Sequence, residues 1–367
     1  VTWADDAEAL ADEARSVLGG EIEGVEDLPH ATRRTATARV LRVRTGARSG
    51  VAKFISCGDD DPGWGGSFDP DHPHYWRREP DFYEAGVPGP FAEASVRAPT
   101  LLGRFDRPGG VVLWLEDLGG TSGGRLGVGD LASASRRLGR AQAPYATGRD
   151  RAPAFPWSTG TLFSQLRSWE DVGWEAIYDD EMWRQPLVEK HFPPQLRESL
   201  VRFGERRWEV LDISRRLPQT ICHHDVWLNN LFSFGDHTVL IDWAFAGHGH
   251  LGCDAGNIVT DACGDLLLPT SLLPDIDAAV TIGYARGLAD PGWAGDPRTV
   301  RLGICLMAAK WSWLVPHQLR RAALGAHMVY GGGPADSDHL YRERAAMLGY
   351  LSAMADEAWA LAGELGV

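Results

Sequence analysis

Residues 220–257 read TICHHDVWLNNLFSFGDHTVLIDWAFAGHGHLGCDAGN, and this stretch decides the fold. It carries His223, Asp225 and Asn230 in the spacing His-x-Asp-x4-Asn, followed by an apolar run that ends in Asp242-Trp243. The chain has only three asparagines, Asn229, Asn230 and Asn257, so finding one at this spacing is informative. LFSF (231–234) and TVLI (238–241), with Gly235-Asp236-His237 between them, predict a β-hairpin. One loop therefore bears a carboxylate and a carboxamide, and a second carboxylate stands at the end of the adjacent strand. Phosphoryl transfer asks for such a set: a carboxylate to orient and deprotonate an attacking hydroxyl, and Mg2+ to offset the phosphate charge. Mg2+ is a hard cation that takes oxygen ligands, so Asn230 and Asp242 are the candidate metal ligands and Asp225 the candidate base.

Working outward, residues 3–19 predict a short amphipathic helix closed by Gly19-Gly20. ATARVLRVRTGARSGVAKFIS alternates and predicts two strands, about 36–44 and 50–56, joined by a turn. A loop rich in Gly, Pro and Asp follows, then a helix near 74–86 kinked or shortened by Pro80. TLLGRF and GGVVLWLEDLGG are two further strand candidates. Beyond Gly119-Gly120 the pattern turns helical, at 129–143, 272–289, 298–328 and 338–363. The fold class is thus α+β, divided into 1–118 and 119–367.

The 367 residues carry 50 acidic and 36 basic side chains, a formal net charge of −14, which disfavours a nucleic-acid partner and mildly favours cationic ones. No stretch approaches the ~18 uninterrupted apolar residues of a membrane span, and the N-terminus is acidic and amphipathic, so a soluble, cytoplasmic protein is expected. Five scattered cysteines without a CxxC pair argue against a disulfide framework and a structural zinc site. His248-x-His250 and His223-His224 have no cysteine at suitable spacing and are read as loop histidines. The only lysines are Lys53, Lys190 and Lys310, which makes each worth inspecting, because arginine does not replace a compact point charge everywhere.

HHDVWLNN followed by LIDW resembles the aminoglycoside phosphotransferase/choline kinase superfamily, small-molecule relatives of protein kinases. The resemblance spans about residues 27–260. It implies a bilobal protein-kinase-like fold, with a small β-rich N-lobe that binds nucleotide and a larger, mainly helical C-lobe with the catalytic loop and acceptor site. It implies Asp225 as catalytic base, Asn230 and Asp242 as Mg2+ ligands, His223 as the structural histidine of the loop, and Asp254 as the carboxylate bracing it. VAKFI resembles the strand whose lysine, Lys53, holds the α/β-phosphates of ATP or GTP. Its glutamate partner is Glu79, with Glu84 in reserve, and the backbone of Glu116 and Leu118 faces the adenine. The segment PHATRRTATARV has no glycine-rich loop, so Thr32, Thr35 or backbone amides are left to cover the phosphates.

The expected activity is a kinase for a small-molecule hydroxyl, with an antibiotic or amino-sugar-like acceptor and an antibiotic-resistance role leading. A Ser/Thr kinase for a natural-product precursor peptide, a choline- or sugar-type metabolite kinase, and a non-catalytic pseudokinase are the alternatives. Core packing is the leading role for most of the fifteen tryptophans, while Trp157, Trp169, Trp174 and Trp183 cluster in the 157–183 insertion, which by the resemblance helps wall the acceptor site. Trp311 and Trp313, with Glu170, Asp171, Glu175, Asp261 and Asp265, are the candidates to wall a cationic acceptor.

Overall fold

The computed structural model describes residues 6–30, 36–46, 48–58, 66–87, 89–150, 173–324, 327–328 and 334–367. Helix α1 (Ala7–Leu18) starts where the Asp6 side chain accepts the Ala9 N–H at 3.0 Å. Next come β1 (Ile22–Asp27), β2 (Thr37–Thr45), β3 (Arg48–Ile55), α2 (Arg78–Ala85), α3 (Gly89–Glu93), β4 (Val96–Arg97), β5 (Leu101–Arg107) and β6 (Gly110–Glu116). Five of the strands form an antiparallel sheet in the order β1-β2-β3-β6-β5. β1 has no counterpart in the sequence pattern, since IEGVED holds only two large apolar residues and none of its side chains is fully buried.

Strand alternation sorts the sheet into two faces. Ala52 and Phe54 of β3, with Leu41, Val43, Val112 and Trp114, pack under Leu10, Ala14 and Leu18 of α1. Ile55 and Val51 lie with Val111, Leu113 and Trp76 on the other face, and Lys53 shares their parity. That parity points the lysine away from α1 and toward α2. α2 begins at Arg78, not near residue 74, so Pro80 falls in the first turn, where its missing N–H breaks no helical bond.

The remaining strands are short: β7 (Thr121–Ser122), β8 (Gln219–Cys222), β9 (Leu231–Ser233), β10 (Thr238–Leu240), β11 (Gly247–His250), β12 (His327–Met328) and β13 (Pro334–Ala335), the last two paired with each other. β9 and β10 form the expected hairpin within a sheet ordered β4-β10-β9-β7, and β8 pairs antiparallel with β11. The helices are α4 (Val128–Ala146) and others at Asp180–Trp183, Pro186–His191, Pro194–Arg206, Glu209–Arg216, Cys253–Asp261, Leu273–Ala289, Pro297–Leu306, Leu314–Arg321 and Ser337–Leu365. The span read as one helix over 298–328 is broken by a 3-10 turn, Met307–Trp311, which carries Lys310. α4 and Leu273–Ala289 approach backbone to backbone, because a Cβ on Gly287 would lie 2.0 Å from the Arg136 carbonyl oxygen and one on Gly139 2.4 Å from that of Tyr284. One continuous apolar core joins these helices and also takes in Phe82 and Phe91 from α2 and α3.

Candidate active site

β8 delivers the chain into the loop 223–230. His223 is fully buried; its Nε2 donates to the Ile241 carbonyl at 3.0 Å and its Nδ1 accepts the Asp225 N–H at 3.2 Å. Burial pushes the imidazole down to about 4, so it is neutral and acts as a rigid spacer between the loop and the strand leading to Asp242. The Asn230 carboxamide donates to Asp225 Oδ2 at 2.8 Å and to its carbonyl at 3.1 Å. Burial pushes the Asp225 carboxyl up to about 7, against the pull of the Lys310 ammonium. A carboxyl poised there suits general base catalysis near neutral pH.

The Ile241 N–H donates to the Asn230 carbonyl at 3.0 Å, which sets Asp242 beside the loop. Asp242 has φ 64°, a left-handed conformation that a non-glycine residue adopts only when its surroundings enforce it. The enforcement is visible in Trp243, which stacks on Phe82 at 4.3 Å, meets His223 edge-on at 4.5 Å and donates to the Leu240 carbonyl at 2.7 Å. Arg78, wholly buried, donates to the carbonyls of His72, Pro73 and Ala244, the last just beyond Asp242.

Lys53 bridges two carboxylates, Glu79 at 2.6 Å and Asp242 at 2.9 Å. Burial alone would lower the ammonium, but Asp242 and Glu79 outweigh it and hold Lys53 above its usual value. Burial likewise works to raise Asp242, and Lys53 overrides it, leaving that carboxylate ionised. Glu79, deeper, is pushed up by burial despite Lys53. Glu84 lies elsewhere, paired with Arg104 at 2.7 Å.

Behind the loop, Asp254 accepts the N–H groups of His223 (3.0 Å) and His224 (2.9 Å) and the Gln142 amide (2.8 Å). Tyr284 in turn donates to Gln142 Oε1 at 2.5 Å, so α4 and two further helices brace the loop through one carboxylate. Lys310 pairs with Asp261 at 2.7 Å and exerts its charge on Asp225. Nothing in the local sequence of Gln142, Tyr284 or Arg78 marks them as part of the site. Lys310 is marked only by the scarcity of lysine.

The Glu116 side chain pairs with Arg97 at 2.6 Å and its N–H donates to the Thr100 carbonyl at 2.9 Å; half-buried Leu118 follows the strand end. Trp183 is buried and donates to the Ile177 carbonyl, and Trp174 lies under the Arg207 guanidinium. Trp311 and Trp313 stack at 6.1 Å, Asp265 lies 3.5 Å from Arg344, and Glu175 is exposed. Thr32, Thr35, Trp157, Trp169, Glu170 and Asp171 lie outside the described residues.

The donor set suits a hard cation. Asn230 spends its amide hydrogens on Asp225, which leaves its Oδ1 as an acceptor, and the Asp242 carboxylate is about one-third exposed (36%).

The sequence profile of the phosphotransferase enzyme family matches residues 78–295, more than half of the chain. No curated protein sequence matches. Among solved structures, amicoumacin kinase hAmiN, in complex with AMP-PNP, Ca2+ and Ami, is similar with a TM-score of 0.53 at 12% identity, covering 96% of this chain and 94% of that one. A microcompartment-associated aminopropanol kinase gives 0.52 at 14% identity, over 96% and 99% of the two chains. The choline kinase LicA from Streptococcus pneumoniae gives 0.50 at 12%, over 94% and 98%. The profile match, together with a bilobal protein-kinase-like fold, places the chain in the phosphotransferase enzyme family, whose members are kinases acting on a hydroxyl group.

Proposed function

We propose that this enzyme moves the γ-phosphoryl group of ATP or GTP onto a hydroxyl of a small molecule, with an antibiotic or amino-sugar-like natural product as the leading acceptor class. The observation that carries the reading is one cluster: Asp225, with its carboxyl near 7, bonded to Asn230, beside an Asp242 tied to Lys53. In this reading Asp225 accepts the acceptor hydroxyl's proton and aims its oxygen at the donor. Lys53, held by Glu79, meets the α/β-phosphates. The backbone of Glu116 and Leu118 faces the base, with residues 1–118 forming the nucleotide lobe and 119–367 the acceptor lobe. Asn230 and Asp242 hold Mg2+, which when bound offsets the phosphate charge.

Fold neighbours that act on amicoumacin, choline and aminopropanol support a small-molecule acceptor. A cationic acceptor would compete with Lys310 for Asp261 and with Arg344 for Asp265, so its binding should weaken with salt. The test is donor consumption with ATP and GTP against amino sugars, nucleoside antibiotics, choline-like amines and Ser/Thr peptides. Turnover with a small-molecule alcohol is expected. Turnover confined to peptides would overturn the acceptor assignment and leave the kinase assignment standing.

A further inference from the structure

His224, between the structural histidine and Asp225, has φ 67°, a conformation an L side chain adopts only under constraint. The constraint turns its imidazole inward until only 3% of the residue is exposed. Nε2 donates to the His248 carbonyl at 2.9 Å, so the lone pair sits on Nδ1, which faces Cys253 Sγ at 3.4 Å. Cys222, at the end of β8, and Cys253, at the start of its helix, are both fully buried and pack with Met307. One ligand atom from each of Cys222, His224 and Cys253 lies within 4.8 Å of the other two. The neighbouring strand is cut back to receive them: a Cβ on Gly249 would lie 2.6 Å from the His224 ring and 2.8 Å from Cys222 Sγ. Two sulfurs and an imidazole nitrogen, two of them from the local pair Cys222-x-His224 and the third from Cys253 on the following helix, thus converge behind the catalytic loop.

We propose that Cys222, His224 and Cys253 form a binding site for a thiophilic d10 cation, Zn2+ or Cu+. A shared ion at the usual zinc distances and tetrahedral angle sets sulfur and nitrogen about 3.5 Å apart, close to the 3.4 Å between Cys253 Sγ and His224 Nδ1. The hydrogen bond from His224 Nε2 to a backbone carbonyl is the orientation that metal-bound histidines use. Loading replaces both thiol protons, which leave to solvent, and forms two metal–sulfur bonds and one metal–nitrogen bond. With Zn2+ the two thiolates sum to zero charge, which a buried setting tolerates best. Three protein ligands leave one position open, so affinity should fall below that of a four-ligand zinc finger. Because His224 adjoins Asp225, an occupied site ties the catalytic loop to β8 and to the helix 253–261.

The test is metal content of the full chain after equilibration with ZnCl2, or anaerobically with Cu+, followed by desalting. About one ion per chain is expected for the parent, together with a thiolate-to-metal absorption band on Co2+ substitution. Cys263→Ala and Cys305→Ala, which alter the other buried cysteines, should retain the ion. Cys253→Ala and His224→Gly should weaken retention about tenfold or more. Glycine adopts φ 67° without strain, so His224→Gly is expected to fold and keeps the test decisive where Cys253→Ala misfolds. Either ion retained, and lost in these variants, supports the site. Retention at the parent level in folded His224→Gly, no ion above background in the folded parent, or a Cys222–Cys253 disulfide in the purified protein would overturn it.

Discussion

Asp225→Asn separates a catalytic residue from a structural one, because it should lower activity while raising stability. The substitution preserves shape and removes the proton acceptor, so kcat should fall by ~10²–10⁴ with nucleotide affinity retained. Stability moves the other way. The Asp225 carboxyl is raised from 3.8 to about 7 in the folded protein, mainly by burial. Between those values the folded state holds a proton that the unfolded chain has released, so stability falls as pH rises through this window and stays lower above pH 7. A rise of that size sets a ceiling of about 4 kcal/mol. The side chain is only half-buried, and solvent screening reduces this to about 1–2 kcal/mol. The carboxamide introduced by Asp225→Asn is uncharged at every pH, so thermal denaturation at about pH 8 should show a Tm a few degrees above the parent, with the difference shrinking toward about pH 4. Steady-state kinetics and calorimetry on the same preparations check both halves. A variant that keeps full turnover, or that loses stability in the alkaline measurement as well as activity, would refute the reasoning.

Asp242→Ala should abolish the Mg2+ dependence of nucleotide binding measured by titration calorimetry, and equal dependence in variant and parent would mean another residue holds the ion. The kcat/KM profile should rise with pH through about 7 as Asp225 ionises. Lys310→Met removes a cation that lowers Asp225 and leaves Asp261 unpaired, so that limb should move to higher pH; an unchanged limb would detach Lys310 from the base. Gly287→Ala drives a Cβ to 2.0 Å from the Arg136 carbonyl oxygen, so the α4 contact must spread at a loss of about 1–3 kcal/mol; an unaltered Tm would contradict that packing.

The sequence exposes what is local and periodic. The alternation over 37–55 locates Lys53, and the hairpin over 231–240 locates Asp242, because each strand lies between recognisable turns. β8 and β11 leave no such trace: QTIC is too short, and GHGH has no apolar alternation to read. The choice of Glu79 over Glu84 depends on helical phase, which Pro80 obscures until the first turn is placed at Arg78. The brace Asp254–Gln142–Tyr284 gathers distant parts of the chain around one carboxylate, and no periodicity encodes such a contact. Of the Cys222–His224–Cys253 cluster only the Cys222-x-His224 pair is local; Cys253 comes from the next helix, and no CxxC spacing announces the set.

The proposed activity is phosphoryl transfer to a small-molecule hydroxyl at Asp225. The most direct measurement is phosphorus NMR of the enzyme with ATP or GTP, Mg2+ and the acceptor found by screening. A phosphomonoester resonance should grow as nucleoside diphosphate appears, one for one, and should vanish with Asp225→Asn. Inorganic phosphate as the sole product with every acceptor, no consumption of nucleotide at all, or an undiminished phosphomonoester signal in the variant would contradict it.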